Sequence, residues 1–132
     1  TVMASISRLI EVIRSVSFEK IDRAALGQEL LHLWHDGQVR SMAFRKANPN
    51  VKVHDLRFKD IVDDPIAAVR GVYAHANMNF SAQTERAVSA WWTNNPADKH
   101  GQHKYELSDY GLTREQVESV YAGYIATYRD YL

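Results

Sequence analysis

One stretch decides the fold: Val51–Phe80, which reads VKVHDLRFKDIVDDPIAAVRGVYAHANMNF. Its first part has the β-type character that predicts a short strand, carried by Val51, Val53, Leu56 and Phe58. From Ile66 to Ala76 the apolar residues recur at helical spacing instead. Asp64-Pro65 marks the change, because Asp is a good N-cap acceptor and Pro suits the first helical position. The stretch therefore predicts a strand, a tight connection and a helix.

This strand is the only one that the sequence predicts. A lone strand leaves both rows of its backbone donors and acceptors unpaired, which is costly when they are buried. The neighbouring strands are therefore expected from outside this chain, either from a missing N-terminal half or from a partner chain. The chain begins at Thr1 without Met, and its apolar period starts at once with Val2. This pattern indicates a start inside an element, and hence a partial domain.

The flanking regions are predicted to be helical. An amphipathic helix is expected from Thr1 to about Val16, with Val2, Ile6, Leu9, Ile13 and Val16 facing inward and Met3 and Ile10 widening the stripe. A second is expected from its cap Asp22 to about Ala47, with Leu26, Leu30, Leu33, Trp34, Val39, Met42 and Ala43 inward. A third begins after Ser81 and ends near Asn94. The last opens at Thr113 with Gln116 completing a capping box, and it buries Val117, Val120, Tyr121, Tyr124 and Tyr128. With about five helices and one strand, the chain is predicted to be mostly α.

Composition restricts the function classes. The chain has 132 residues, which suits one domain or part of one. Sixteen basic residues balance sixteen acidic ones, so the net charge predicts no nucleic-acid partner. No apolar run approaches the roughly 20 residues of a transmembrane segment. The chain has no cysteine, so the sequence does not distinguish an oxidising from a reducing compartment. A cytoplasmic location is the working expectation.

The loop from Asn95 to Leu112 is long for a compact domain, and such loops often carry function. Its centre combines cations and N–H donors with a glycine, at Lys99, His100, Gly101, His103 and Lys104. This combination suits a phosphate or sulfate group. Tyr105 and Tyr110 are placed to stack on a ring or to donate hydrogen bonds. The alternative is a solvated basic loop whose charge is balanced by nearby carboxylates.

Two other groups of residues, the histidines and the serines of the first helix, give weaker evidence for a functional site. The histidines form two spaced pairs, at 32 and 35 and at 100 and 103, which leaves a zinc site open as an alternative. No carboxylate stands at a spacing that identifies a metal site, so no metal is expected. Ser5 and Ser7 lack the context of a nucleophilic serine and read as helix-surface residues.

Three stretches resemble bacterial members of the sulfotransferase superfamily, which use 3′-phosphoadenosine-5′-phosphosulfate (PAPS) as co-substrate. DLRFKDIVDDPIAAVRGVYAHANMNFS is similar to the family's R-Y/F-x-D-[LI]-x-x-[DN]-P unit, with one extra residue before the Pro. NPADKHGQHKYELSDYGLT is similar to its late loop, N-P-x-x-K-H-G-x-H-x-Y-x-L-x-D-F-G-L. TVMASISRLIEVIRS resembles the helix that follows the family's Arg-x-Pro motif. The resemblance covers essentially the whole chain. It implies the C-terminal half of an α/β, P-loop-like sulfotransferase domain.

The resemblance also implies which residues meet the cofactor. They are Ser5, Phe58, Lys99, His100, Gly101, His103, Lys104 and Tyr105. Residues 99–101 would lie near the 3′-phosphate, with residues 103–105 supporting the loop. Ser5 is the nearest match to the family's phosphate-binding serine. Phe58 stands where relatives often have a tyrosine near the adenine.

Other parts of the family's site precede the matching region. The 5′-phosphosulfate loop, the arginine of the 3′-phosphate motif and the catalytic base all come earlier in the family. No catalytic residue is therefore assigned here, and the chain alone is expected to be inactive. The acceptor would be a small molecule or a glycan with a hydroxyl or amine. Two alternatives stay open: a non-catalytic helical module that pairs its strand with a partner, for instance in a dimer, and a His-based metal-binding domain.

Overall fold

The structure, a computed structural model, describes residues 2–96 and 105–131. Its regular elements are α1 (Val2–Arg14), α2 (Arg23–Ala47), α3 (Phe58–Asp63), α4 (Pro65–His75), α5 (Ala82–Asn94), α6 (Arg114–Val120), α7 (Ala122–Thr127) and two 3₁₀ turns, Leu107–Tyr110 and Arg129–Tyr131. The described residues are thus mostly helical, as predicted. None of the helices in those two ranges is long and apolar enough to cross a membrane.

The predicted strand is wrong. Residues 51–57 have no regular structure, and Phe58 begins α3 instead of ending a strand. Arg57, just before that helix, still has an extended backbone, with φ −77° and ψ 137°. The described residues contain no strand that could pair with this segment. β-propensity fixes only a local preference, whereas a strand also needs a neighbour for its hydrogen bonds.

The chain divides into two compact units. The first comprises residues 1–51 and 103–130, and it contains α1, α2, α6, α7 and the Leu107 turn. Its buried core consists of Met3, Leu26, Leu30, Leu31, Tyr110 and Leu112. Asp22 caps α2 as predicted, because its side chain accepts a hydrogen bond from the Ala25 N–H at 3.0 Å. The cap, the bounds of α2 and the burial of Leu26 and Leu30 match the sequence prediction.

The inward face predicted for α1 is only partly correct. The exposed fractions are 73% at Val2, 59% at Leu9 and 57% at Ile13, and Val16, which lies beyond the end of α1 at Arg14, is 86% exposed. Of the predicted stripe, Met3 is buried and Ile6 and Ile10 are partly buried against the core. The helix also buries Ala4, Ser7 and Glu11, which the prediction left outside the stripe. On α2 likewise, Leu33, Trp34 and Val39 are exposed, while Leu31 is buried. Helical periodicity locates an apolar face, but the described packing partners cover a face that overlaps it only in part.

The last predicted helix is divided at Tyr121 into α6 and α7. Thr113 caps α6 by accepting from the Gln116 N–H at 3.2 Å. The Gln116 side chain donates to the side-chain oxygen of Gln28 at 3.4 Å, so it is used between helices rather than in the expected capping box. Val117, Val120 and Tyr121 pack against the core as predicted.

The second unit comprises residues 52–102 and 131–132 and contains α3, α4 and α5. Asp64 caps α4 by accepting from the Ala67 N–H at 2.9 Å, and Pro65 is the first helical residue, as predicted. Ser81 caps α5 through the Thr84 N–H at 3.1 Å, also as predicted. Both caps are local chemistry, which explains why the sequence predicts them well.

Candidate functional site

The structure describes three of the eight predicted cofactor-binding residues. Ser5 lies partly buried on α1, and Tyr105 lies partly buried just before the Leu107 turn; both belong to the first unit. Phe58 belongs to the second unit, where its side chain is 79% exposed at the start of α3. The other five lie outside the described residues: Lys99, His100, Gly101, His103 and Lys104.

The first unit contains a buried carboxylate, that of Glu11, on the helix that carries Ser5. Glu11 is 9% exposed, and three donors from separate parts of the unit converge on it. Its Oε1 accepts from Arg23 Nε at 2.8 Å. Its Oε2 accepts from the Tyr110 hydroxyl at 2.7 Å and from an Arg8 guanidinium nitrogen at 3.0 Å. A buried charge is costly unless it is paired and hydrogen-bonded, and here both conditions are met. We call these four residues the Glu11 cluster.

The cluster shifts the pKa values of two of its members in opposite directions. Burial alone would raise the pKa of Glu11, but the hydrogen bonds from Tyr110, Arg23 and Arg8 outweigh it and lower that pKa to about 2. Burial, together with the bond to the Glu11 carboxylate, raises the pKa of Tyr110 to about 12. The carboxylate is therefore charged and the phenol neutral across the physiological range. The cluster carries two positive charges and one negative charge, which favours an anion nearby.

These pKa shifts predict losses of stability at both pH extremes. Because the folded-state pKa of Glu11 is below its ordinary value of 4.5, its contribution is complete above pH 4.5 and disappears as the pH falls towards 2. The shift corresponds to up to about 3 kcal/mol of unfolding free energy. Because the folded-state pKa of Tyr110 exceeds 10.0, its contribution is complete below pH 10 and is lost towards pH 12. Urea unfolding across this pH range checks both losses. A Glu11→Gln variant that keeps the full acid-side loss would contradict the assignment.

The Leu107 turn joins Tyr105 to the core in a defined geometry. Glu106 and Asp109 cap the turn reciprocally, and the Glu106 N–H donates to the Asp109 carboxylate at 2.8 Å. Gly111 then ends the turn with φ +61°, a left-handed conformation that favours glycine. Tyr110 is 2% exposed. Its hydroxyl donates to Glu11 inside the core rather than to a ligand, and its burial leaves no ring face open for stacking on one.

Ser7 was expected on the helix surface, and this expectation is wrong. Its side chain is fully buried, and its Oγ has no hydrogen-bond partner among the described residues. It lies four residues before Glu11 and so shares a face of α1 with it. The sequence offered one signal for this face: Glu11 falls in helical register with Ala4 and Ser7, away from Leu9 and Ile13.

Sequence reasoning also missed Arg8. It follows Ser5 by three residues, so the two lie on the same side of α1. Its side chain is 46% exposed, and Glu11 binds one of its guanidinium nitrogens. The spacing Ser-x-x-Arg-x-x-Glu was visible in the sequence, but only the fold shows that the carboxylate is buried and charged.

An open cleft of about 430 Å³ lies in the second unit. Its lining residues are His54, Asp55, Leu56, Asp60, Asp63, Asp64, Ala67, Ala68 and Gly71. Three of the carboxylates are already used locally: Asp60 pairs with Arg57 at 2.8 Å, Asp63 pairs with Lys59, and Asp64 caps α4. The cleft is thus lined by paired acids and offers an anionic cofactor little attraction.

The histidines give little support to a metal site. Within residues 2–96 and 105–131, no three potential ligand residues cluster in a way that could hold a metal ion. His35 packs edge-on against Tyr121, with 5.9 Å between ring centroids, and His32 is exposed. The second pair, His100 and His103, lies outside the described residues.

Comparison with known proteins identifies relatives of this chain. Residues 1–82, more than half of it, match the model of a sulfotransferase family. A solved structure, the sulfotransferase STF9 from Mycobacterium avium, matches with a TM-score of 0.76 at 23% sequence identity. The match covers 95% of this chain and 32% of that protein, so this chain spans about a third of its length. At this identity the likeness shows a shared fold. No curated protein matched the sequence.

Proposed function

Because this chain belongs to the sulfotransferase family, we propose that it is part of an enzyme that transfers a sulfuryl group from PAPS to a hydroxyl or amine acceptor. The observation that carries the proposal is the family match over residues 1–82, which includes both Ser5 and Phe58. In the reaction, the acceptor loses its proton and forms a bond to sulfur. The bond between sulfur and the bridging phosphate oxygen breaks, and adenosine 3′,5′-bisphosphate leaves. As in phosphoryl transfer, such a step depends on in-line positioning and charge stabilisation.

This chain would supply part of the clamp on the cofactor's 3′-phosphate. Ser5 would donate a hydrogen bond to it, and Lys99, His100 and Gly101 would contribute charge and backbone N–H groups. His103, Lys104 and Tyr105 would support the loop, and Phe58 would pack near the adenine. The excess positive charge of the Glu11 cluster, two of whose members lie on the helix that carries Ser5, fits an anionic ligand.

The remainder of the site would come from the part of the sulfotransferase domain that has no counterpart here. Two observations support a larger domain. The chain spans about a third of the solved sulfotransferase, and the apolar face of α1 around Leu9 and Ile13 is exposed. Covering such a face is favourable by roughly 25 cal/mol per Å² of apolar area.

Sulfuryl transfer tests the proposal directly. The protein that carries this chain together with the rest of the domain is expected to consume PAPS with a suitable acceptor from a broad panel of alcohols, amines and glycans. Residues 1–132 alone are expected to show no turnover, because the base and the 5′-phosphosulfate loop are assigned to the other part. Turnover by residues 1–132 alone would contradict this division of the site. Failure of the larger protein to bind either PAPS or adenosine 3′,5′-bisphosphate would contradict the function itself.

A further inference from the structure

Glu11 is a buried charged residue that the proposed reaction does not use. It binds three donors from α1, from the start of α2 and from the Leu107 turn. Replacing such a cluster by apolar side chains is often neutral or stabilising, so a buried ion pair is weak evidence for a purely stabilising role. The position of Glu11, where α1, α2 and the Leu107 turn meet, therefore suggests a further role.

Tyr110 connects the Glu11 cluster to the segment that carries Tyr105. Tyr110 ends the Leu107 turn, which begins two residues after Tyr105 and is capped reciprocally by Glu106 and Asp109. The backbone of Tyr110 also lies against Gly27 of α2, so closely that no side-chain carbon fits between them. A short turn fixed at both its backbone and its hydroxyl leaves Tyr105 little freedom of position.

The helix α1 connects the Glu11 cluster to Ser5. Ser5 and Glu11 are six residues apart on α1, a rise of about 9 Å along the helix. Arg8 lies midway, three residues from each, and its guanidinium is bound by Glu11 at 3.0 Å. The same carboxylate thus binds a cation on the helix that carries Ser5 and the phenol that anchors the turn after Tyr105.

We propose that Glu11 and Tyr110 are positioning residues for the cofactor's 3′-phosphate, because their hydrogen bond fixes the turn after Tyr105 relative to the helix that carries Ser5. This inference rests on the proposed function, since both ends of the arrangement are assigned to the cofactor. Neither residue is placed in contact with the nucleotide. Both act through the segments that they hold, and small misplacements of binding groups can cost a large factor in rate or affinity.

Nucleotide titrations test the proposal in the full protein that contains this chain. Two probes are compared by calorimetry: adenosine 3′,5′-bisphosphate, and adenosine 5′-monophosphate, which lacks the 3′-phosphate. Tyr110→Phe keeps the buried ring and removes only the hydroxyl. We expect it to weaken binding of the bisphosphate by about tenfold and to leave the monophosphate within about twofold. Glu11→Gln is expected to act in the same direction.

Glu29→Gln is the matched control. Glu29 also joins α1 to α2, through bonds from Arg14 at 2.6 and 2.9 Å, but this pair is solvent-exposed. The control should change neither affinity. If Tyr110→Phe weakens both nucleotides equally, or leaves both unchanged, the positioning role is wrong. If the wild-type protein binds neither nucleotide, the proposed function fails instead, so the two failures are distinguishable.

Discussion

Replacing Gly27 with alanine is expected to lower the unfolding free energy of the first unit by roughly 3 kcal/mol or more. An added Cβ at this position would lie 2.1 Å from the backbone oxygen of Tyr110 and 2.9 Å from its Cβ. Real Cβ atoms do not approach so closely. Since the nearest obstacle is backbone rather than the end of a flexible side chain, α2 and the Leu107 turn would have to separate. That separation would also strain the hydrogen bond from Tyr110 to Glu11.

Gly37→Ala is the control for this prediction, because it makes the same change in the same helix. An added Cβ at Gly37 meets no atom within 4 Å. It should therefore stabilise the chain by up to about 1 kcal/mol through its better helix propensity. Urea unfolding followed by circular dichroism measures both variants. Equal effects of the two substitutions would show that α2 and the turn are not in the close contact described.

Glu11→Ala is expected to produce the second large effect, a loss of about 3 kcal/mol of unfolding free energy at pH 7. The Tyr110 hydroxyl, on a residue that is 2% exposed, would lose its acceptor at 2.7 Å. The two arginines are half-exposed and can turn to water, so the buried phenol accounts for most of the cost. Glu29→Ala removes a comparable but exposed carboxylate and should cost far less.

A double-mutant cycle identifies the source of that cost. If the bond between Glu11 and Tyr110 carries it, Glu11→Ala should cost clearly less in a Tyr110→Phe background, where no hydroxyl is left without an acceptor. Chemical unfolding of the four proteins at one pH supplies the coupling energy. Strict additivity of the two substitutions would contradict the hydrogen bond as the main contribution.

The sequence predicts the local features of this fold well. Asp22, Asp64, Ser81 and Thr113 cap helices where their side-chain chemistry places them. Each cap depends on atoms within three residues of itself, so a short window contains all the necessary information. The mostly helical class and the family resemblance follow from similarly local patterns, and the family match confirms the resemblance.

Features that depend on distant partners could not be predicted in the same way. The strand at residues 51–58 was inferred from local β-propensity, but pairing is non-local and the described residues provide no neighbour. The periodicity of α1 is real, yet only the packing shows that the face with Ser7 and Glu11 is the buried one. Glu11 and Tyr110 are 99 residues apart, and no spacing rule joins them.

Gly27 shows why the candidate site was only partly visible. In the sequence it is a residue that weakens a helix by roughly 1 kcal/mol. In the structure it is the point at which α2 lets the Leu107 turn approach. The resemblance identified Ser5 and Tyr105, but the cluster that holds their segments appears only when the fold brings distant residues together.

The proposed function is tested most directly by measuring how much this chain contributes to recognition of the 3′-phosphate. The measurement is the ratio of affinities for adenosine 3′,5′-bisphosphate and adenosine 5′-monophosphate in the full protein, before and after Lys99→Ala. We expect the wild type to prefer the bisphosphate and Lys99→Ala to remove most of this preference, because a charge-assisted contact is lost. A wild-type preference that Lys99→Ala leaves intact would contradict the assignment of part of the 3′-phosphate clamp to this chain.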